Sequence, residues 1–318
     1  MIQTLEIENF KSIKHLKMDC KRINLFIGEP NTGKSNILEA FGLLSHVYYG
    51  DLEKFIRFES MSNLFYDHNV EDTITIKFDQ NAFQVQLQVG NFVGVLNGSK
   101  SFSYNYLGGG SRNRASEFKP FKFYKFEVRR DFPNREVEFL FPPVADNLLT
   151  IVFTRKDLRK LVREIFDQYG LKVVLEPSEN KIKLQKEIED IIISHPYSLV
   201  SDTLQRVIFH LVAIETNENS IIMFEEPEAH AFPYYTKYLA ERIALNKNNN
   251  QYFISTHNPY LLLSILEKAP KDEVAIFITY LDEYQTKVKK LSEEELEEIM
   301  EMGIDIFFDI ERFLEVKK

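Results

Sequence analysis

Tryptophan is absent from the 318 residues, and cysteine occurs once, as Cys20. One cysteine cannot close an intrachain disulfide, which excludes a disulfide scaffold and fits a reducing cytoplasm. No run of about 18 apolar residues occurs, so no membrane-spanning helix is expected. The N-terminal stretch Met1-Ile2-Gln3-Thr4-Leu5-Glu6-Ile7-Glu8 alternates apolar and polar residues as a strand does. It lacks the basic and apolar regions of a signal peptide. Positive charge is also short. There are 39 Lys and Arg against 48 Asp and Glu, a net charge of −9. Nucleic-acid binding needs clustered Lys and Arg, so the acidic total argues against broad binding and leaves only a local basic patch open. What remains is a soluble globular composition, 44% apolar and 27% charged, with 27 Phe to fill a core. This length suits one large α/β core, or a core with an attached lobe.

The most informative stretch is Gly28-Glu29-Pro30-Asn31-Thr32-Gly33-Lys34-Ser35. It fits G-x-x-x-x-G-K-[S/T], the phosphate-binding loop. The apolar run Ile23-Asn24-Leu25-Phe26-Ile27 precedes it, and Asn36-Ile37-Leu38-Glu39-Ala40-Phe41 follows as a helix. The loop therefore joins a buried strand to a helix N-terminus, where its mechanism needs it. Backbone N–H groups surround the phosphates there, and the helix dipole adds to the attraction. Lys34 then reaches the β- and γ-phosphates, and the Ser35 hydroxyl binds Mg²⁺.

Along the rest of the chain, residues 1–27 read as two strands around Asn9-Phe10-Lys11-Ser12, then the strand entering the loop. Residues 34–48 read as a helix. Residues 70–130 read as an antiparallel β region, in which Thr73-Ile74-Thr75-Ile76-Lys77-Phe78 alternates cleanly. Within it, Leu107-Gly108-Gly109-Gly110-Ser111-Arg112-Asn113-Arg114 reads as a flexible loop. Its Arg112 and Arg114, with Lys100, are candidate phosphate-backbone contacts, although a solvated loop carries such charges without any ligand. Residues 156–168 form a short amphipathic helix, and 171–175 and 181–184 form strands around Pro177-Ser178-Glu179-Asn180. A second long helix runs over 202–218, with Ser201 as its N-cap. Ser292-Glu293-Glu294-Glu295 is a capping-box signature for a helix ending at Gly303.

Two further signals accompany the loop. In Ser220-Ile221-Ile222-Met223-Phe224-Glu225-Glu226-Pro227-Glu228-Ala229-His230, four apolar residues form a buried strand with two acids at its C-terminal end. That end is where open α/β sheets bind ligands. Glu225 fits a Mg²⁺ position, and Glu226 fits a general base for the attacking water. Tyr252-Phe253-Ile254-Ser255-Thr256-His257-Asn258-Pro259 is another short apolar strand delivering polar side chains. The His257 imidazole suits a γ-phosphate sensor, because it can donate a hydrogen bond to phosphate or water.

These segments together resemble an ABC-type ATPase head of the RecF/SMC/OLD class. Leu5-Glu6-Ile7-Glu8-Asn9-Phe10-Lys11-Ser12-Ile13 resembles the class's first strand and turn. Residues 28–36, ending in Asn36, resemble its G-x-x-N-x-G-K-S-N loop. Glu225-Glu226-Pro227-Glu228-Ala229-His230 is similar to its E-E-P-E-x-H segment, and Ser255-Thr256-His257-Asn258-Pro259 to its S-T-H-x-P segment. The resemblance implies an α/β phosphate-loop fold with a mixed sheet, an antiparallel β region and a smaller helical and hairpin lobe. Lobe I would span about 1–145 and 219–318, and lobe II about 146–218. The resemblance also implies ATP and Mg²⁺ as ligands, and a head-to-tail homodimer with two nucleotides between the subunits. Ser201 matches the signature serine that contacts the partner's nucleotide, without the usual glycines after it. No glutamine can be assigned to the Mg²⁺-sensing position after the β lobe, and Phe232 stands where relatives often carry His. No coiled-coil arms are expected between Ser35 and Glu225, and no nuclease domain is expected after His257. The expected function is an ATPase that drives or regulates a separate effector protein in DNA repair or anti-phage defence. A non-hydrolysing scaffold that sequesters an effector is the alternative. DNA contact stays open through Arg112, Arg114 and Arg129-Arg130, and no membrane contact is expected.

Overall fold

In the computed structural model, residues 1–302, 306–307 and 309–314 are described. Gly303, expected to end the last long helix, lies outside them.

One sheet has seven antiparallel strands in the order β2-β1-β4-β5-β6-β7-β8. These are β1 (Thr4–Phe10), β2 (Ile13–Asp19), β4 (Ile74–Phe78), β5 (Asn81–Gln88), β6 (Asn91–Leu96), β7 (Ser99–Tyr104) and β8 (Gly110–Arg112). The second sheet has six strands in the order β16-β15-β3-β14-β13-β9. It contains β3 (Ile23–Ile27), β9 (Phe121–Tyr124), β13 (Ile221–Glu225), β14 (Gln251–Ser255), β15 (Val274–Asp282) and β16 (Gln285–Lys290). All its pairings are parallel except the edge pair β15–β16. A third sheet joins β10 (Lys172–Glu176), β11 (Lys181–Ile188) and β12 (Ile191–Pro196).

Period-two patterning explains how the layers stack. Ile23, Leu25 and Ile27 of β3 enter one core and Phe26 enters the other. On the Phe26 side lies α1 (Lys34–Tyr49), sandwiched between the six-stranded and antiparallel sheets. On the other side pack α2 (Leu148–Thr154), α3 (Lys156–Asp167), α4 (Asp202–Thr216), α5 (Pro233–Leu245) and α6 (Pro259–Lys268). Covering both faces is what a parallel sheet requires. The chain continues into α7 (Glu293–Met302) and α8 (Ile310–Leu314). At the start of α7, Ser292 Oγ accepts the Glu295 N–H at 3.2 Å and Glu295 Oε2 accepts the Ser292 N–H at 2.8 Å, a reciprocal capping box.

Two expectations need correction. Residues 121–124 leave the antiparallel region and pair in parallel with β13, because all four side chains are buried. The glycine-rich segment is also not simply a loop. Residues 110–112 form β8, Arg112 donates to His46 O and Val47 O at 3.1 Å each, and Arg114 lies 4.3 Å from the Tyr48 ring centre. Both arginines are committed to the α1 C-terminus. Arg129 is paired with Asp146 at 2.8 Å. Among the described residues, no helix is long and apolar enough to cross a membrane.

Candidate functional site

The phosphate loop leaves β3 at Ile27 and enters α1 at Lys34. Its backbone visits positive φ at Gly28 (148°), Asn31 (64°) and Gly33 (97°). Glycine is required at two of these. A Cβ on Gly28 would meet Thr279 O at 2.3 Å, and one on Gly33 would meet Thr286 Oγ1 at 1.9 Å. The β15–β16 hairpin is thus pressed against the loop. Thr279 Oγ1 donates to Ile27 O at 2.9 Å and Thr286 Oγ1 to Thr32 O at 3.0 Å, while the Thr32 and Thr279 hydroxyls share a 2.9 Å bond. Lys34 Nζ donates to Gly28 O at 2.9 Å and Glu29 O at 2.7 Å. Burial lowers the Lys34 ammonium to about 8, against the opposing pull of Glu226 and Glu29. An anion replacing those carbonyl contacts would restore the favoured charge.

The two acids stand where β13 ends. Glu225 pairs in register with Ser255, the last residue of β14. Glu226 turns into left-handed backbone at φ 45°, and its N–H donates to Ser255 O at 3.0 Å. That turn points its carboxylate at His257, whose Nε2 lies 3.5 Å from Glu226 Oε1. Desolvation, then Lys34, holds the His257 imidazole below its usual value, and Glu226 opposes them. Desolvation and Lys34 both favour the neutral ring, which has one N–H to donate. Asn258 caps α6, accepting from Tyr260 N at 2.9 Å, which fixes the segment carrying His257.

Glu228 locks these two segments together. Its buried Oε1 accepts the Thr256 hydroxyl, and Thr256 Oγ1 accepts the Asn258 N–H at 3.0 Å. Glu228 Oε2 is buried without a partner. Burial pushes this carboxyl up to about 7, although Thr256 and the backbone N–H groups of Glu228 and His257 favour its charge.

A cavity of about 480 Å³ gathers Pro30, Asn31, Gly33, Lys34, Ser35 and Asn36 with Glu226, Ser255 and His257. Three strand ends separated in sequence converge on it. Glu225 stands beside Glu226 at the strand end. The Ser35 hydroxyl and the Glu225 carboxylate are oxygen donors of the kind a hard divalent cation takes. Ser201 sits elsewhere, exposed at the start of α4. It occupies the N-cap position but its hydroxyl caps nothing, contrary to the expected capping role. Arg206 is held by Asp202 at 2.8 Å and stacks over Phe126. A larger cleft of about 700 Å³, between α3 and β10, is lined by Lys156, Arg159 and Arg163 and holds none of these groups.

Several site residues escaped the sequence reading. Ser12 and Arg57 line the same cavity. Arg57 Nε donates to Glu39 Oε1 at 2.7 Å, and Glu39, fully buried on α1, also takes Lys11. The available signal was Glu39 itself, an acid in an apolar helix. Where a glutamine was sought after the β lobe, β9 ends at Tyr124, paired with Phe224, and Lys125 follows it.

A family model described as an AAA ATPase domain matches residues 1–196, and a second, described as an AAA domain, matches residues 176–264. An uncharacterized protein of Methanocaldococcus jannaschii is 33% identical over 92 residues, 24% of this chain and 42% of that protein. The chain thus spans about two fifths of that relative. The SMC head bound to the C-winged helix domain of ScpA superposes with a TM-score of 0.60 over 93% of this chain and 99% of that one, at 17% identity. The Smc head from Pyrococcus furiosus, bound to the C-terminal domain of ScpA, gives 0.59 over 95% and 99%, at 14% identity.

Proposed function

The chain belongs to the AAA ATPase domain family and has the fold of an SMC-type ATPase head, and from this we propose that it binds and hydrolyses ATP between two copies of itself. The observation that carries the reading is the convergence of Lys34, Ser35, Glu226 and His257 on one cavity. Phosphate-loop N–H groups and Lys34 hold the phosphates. Ser35 and Glu225 would hold Mg²⁺, which would neutralise phosphate charge. Glu226 takes a proton from the attacking water. His257 uses its ring N–H to donate a hydrogen bond to the developing charge.

Ser201 faces solvent with an uncommitted hydroxyl at a helix N-terminus. In a head-to-tail pair this group completes the partner's site, so ATP closes the pair and hydrolysis releases it. Closure would then act on a separate effector protein, in DNA repair or anti-phage defence. A DNA contact through Arg112 and Arg114 loses support, because both already serve the α1 end.

Size measurement and turnover of Glu226→Gln test this. The variant should keep ATP binding, lose turnover by about 10²- to 10⁴-fold, and run as a dimer with ATP. A variant that stays monomeric with ATP sinks the paired site. Turnover at the wild-type rate removes Glu226 as base. Wild-type protein that binds ATP without turning it over is the effector-sequestering scaffold instead.

A further inference from the structure

One wall of the cavity has no role in holding phosphate. Pro30, Leu281 and Tyr284 are the apolar and aromatic members of its lining, the last two from the β15–β16 hairpin. Tyr284 is 92% exposed, so its ring packs against almost nothing. Its backbone is also unfavourable. Glu283 and Tyr284 form the two-residue turn between the paired Asp282 and Gln285, with φ of 47° and 62°. Such a turn needs left-handed backbone at both positions and favours Asn-Gly. Three other turns of this kind in the chain carry Gly90, Gly98 and Asp190 at the second position. A bulky ring there is strained, and strain on a cavity wall points to a use for the ring.

The hairpin is fixed relative to the phosphate loop. Thr279 and Thr286 bond to the loop, and the Thr286 hydroxyl also meets Ser12 Oγ at 2.6 Å. With a triphosphate anchored at residues 28–35, the apolar wall of the same cavity is the surface there that suits a base. We propose that Tyr284, with Leu281 beside it, is the stacking platform for the base of the bound nucleoside triphosphate. The proposal rests on the nucleotide-binding reading above. Stacking uses the π-face that every base has, and a purine offers the larger one. The platform therefore selects purine nucleotides over bare polyphosphate, without choosing adenine over guanine.

Equilibrium affinities for ATP and for inorganic tripolyphosphate, which has no base, test this in wild type, Tyr284→Phe and Tyr284→Gly. Tyr284→Gly should weaken ATP by about ten-fold and leave tripolyphosphate unchanged. Tyr284→Phe should bind both as wild type does. Tyr284→Gly should also melt higher than wild type, because glycine relieves the left-handed turn. Wild-type ATP affinity in Tyr284→Gly overturns the proposal, as does an equal loss for both ligands. Wild type that binds neither ligand overturns the nucleotide reading itself, and the platform with it.

Discussion

Around the phosphate loop, the side chains of Asn24, Thr32, Lys34, Glu228, Thr256, Thr279 and Thr286 are all buried. On the β11–β12 hairpin the situation is reversed. Ile188, Ile191, Ile192 and Ile193 are between 37% and 64% exposed, and β12 is a sheet edge. Burying polar groups costs desolvation unless each finds a partner. Here most do: Asn24 donates to Tyr252 O at 3.1 Å, Thr279 to Ile27 O at 2.9 Å, and Lys34 to two carbonyls. Such a network specifies one geometry and has little freedom to adapt. An exposed apolar edge specifies nothing internally and is stabilised by whatever covers it. One region is therefore fixed in shape by its own hydrogen bonds, around the buried Lys34 ammonium. The other leaves apolar side chains uncovered among the described residues. Ser201 begins α4 soon after β12 and is likewise exposed, with a polar group presented and unused.

The sharpest way to break this contrast is to remove the charge that the first region is arranged around. Lys34→Ala should lower ATP affinity by about 10²-fold, since a lost charge-assisted contact to phosphate is worth about 1.5–3 kcal/mol. The fold should survive, because burial already disfavours this ammonium. Titration with ATP measures the affinity and urea denaturation the stability. Unchanged affinity would mean that the loop geometry is not built for phosphate.

A smaller effect tests whether the buried network is a desolvated unit. Burial raises the Glu228 carboxyl from 4.5 to about 7, so the folded chain holds this proton more tightly than the unfolded chain. The stabilisation is complete below about pH 4.5 and is lost as pH rises through about 7. Between pH 5 and 8, wild type should lose about 2–3 kcal/mol of stability relative to Glu228→Gln, which does not titrate. Urea denaturation at both pH values reads the difference. Parallel pH profiles would show that Glu228 is hydrated, and the lock between the Glu226 and His257 segments would lose its basis.

The contrast also explains what was legible in the sequence. Gly28, Lys34, Glu226 and His257 each sit where a short apolar strand meets polar residues, so local pattern alone locates them. Their meeting depends on sheet order, with β3 between β15 and β14 and β14 beside β13, which the fold class implies. Thr279 and Thr286 were invisible, because their partners lie about 250 residues away, and Tyr284 because a β-hairpin carries no phosphate motif. Arg57 lies in a loop with no periodicity to mark it. The strand β12 was missed for the opposite reason. Its isoleucines are exposed on both faces, so the alternation that marks a half-buried strand is absent. The helix α5 was also missed; it opens on Pro233-Tyr234-Tyr235, and its buried Leu239, Ala240 and Ile243 are interrupted by Lys237, Glu241 and Arg242.

The smallest effect on the isolated chain is expected at Ser201, and that is what makes it informative. An N-cap serine that bonds its helix contributes about 1 kcal/mol. Ser201 makes no such bond, so Ser201→Arg should leave stability within about 0.5 kcal/mol of wild type. Its loss should appear in the paired site instead. In a head-to-tail pair, each site takes its loop from one subunit and its serine from the other. Lys34→Ala and Ser201→Arg should each be inactive alone. Mixed together, they form some pairs in which the intact loop of one subunit meets the intact serine of the other. With random pairing, about a quarter of all sites are whole, so about a quarter of wild-type turnover should return. Turnover that stays at the level of the separate variants would assign Ser201 to its own chain. The exposed lobe would then need a different partner to account for its surface.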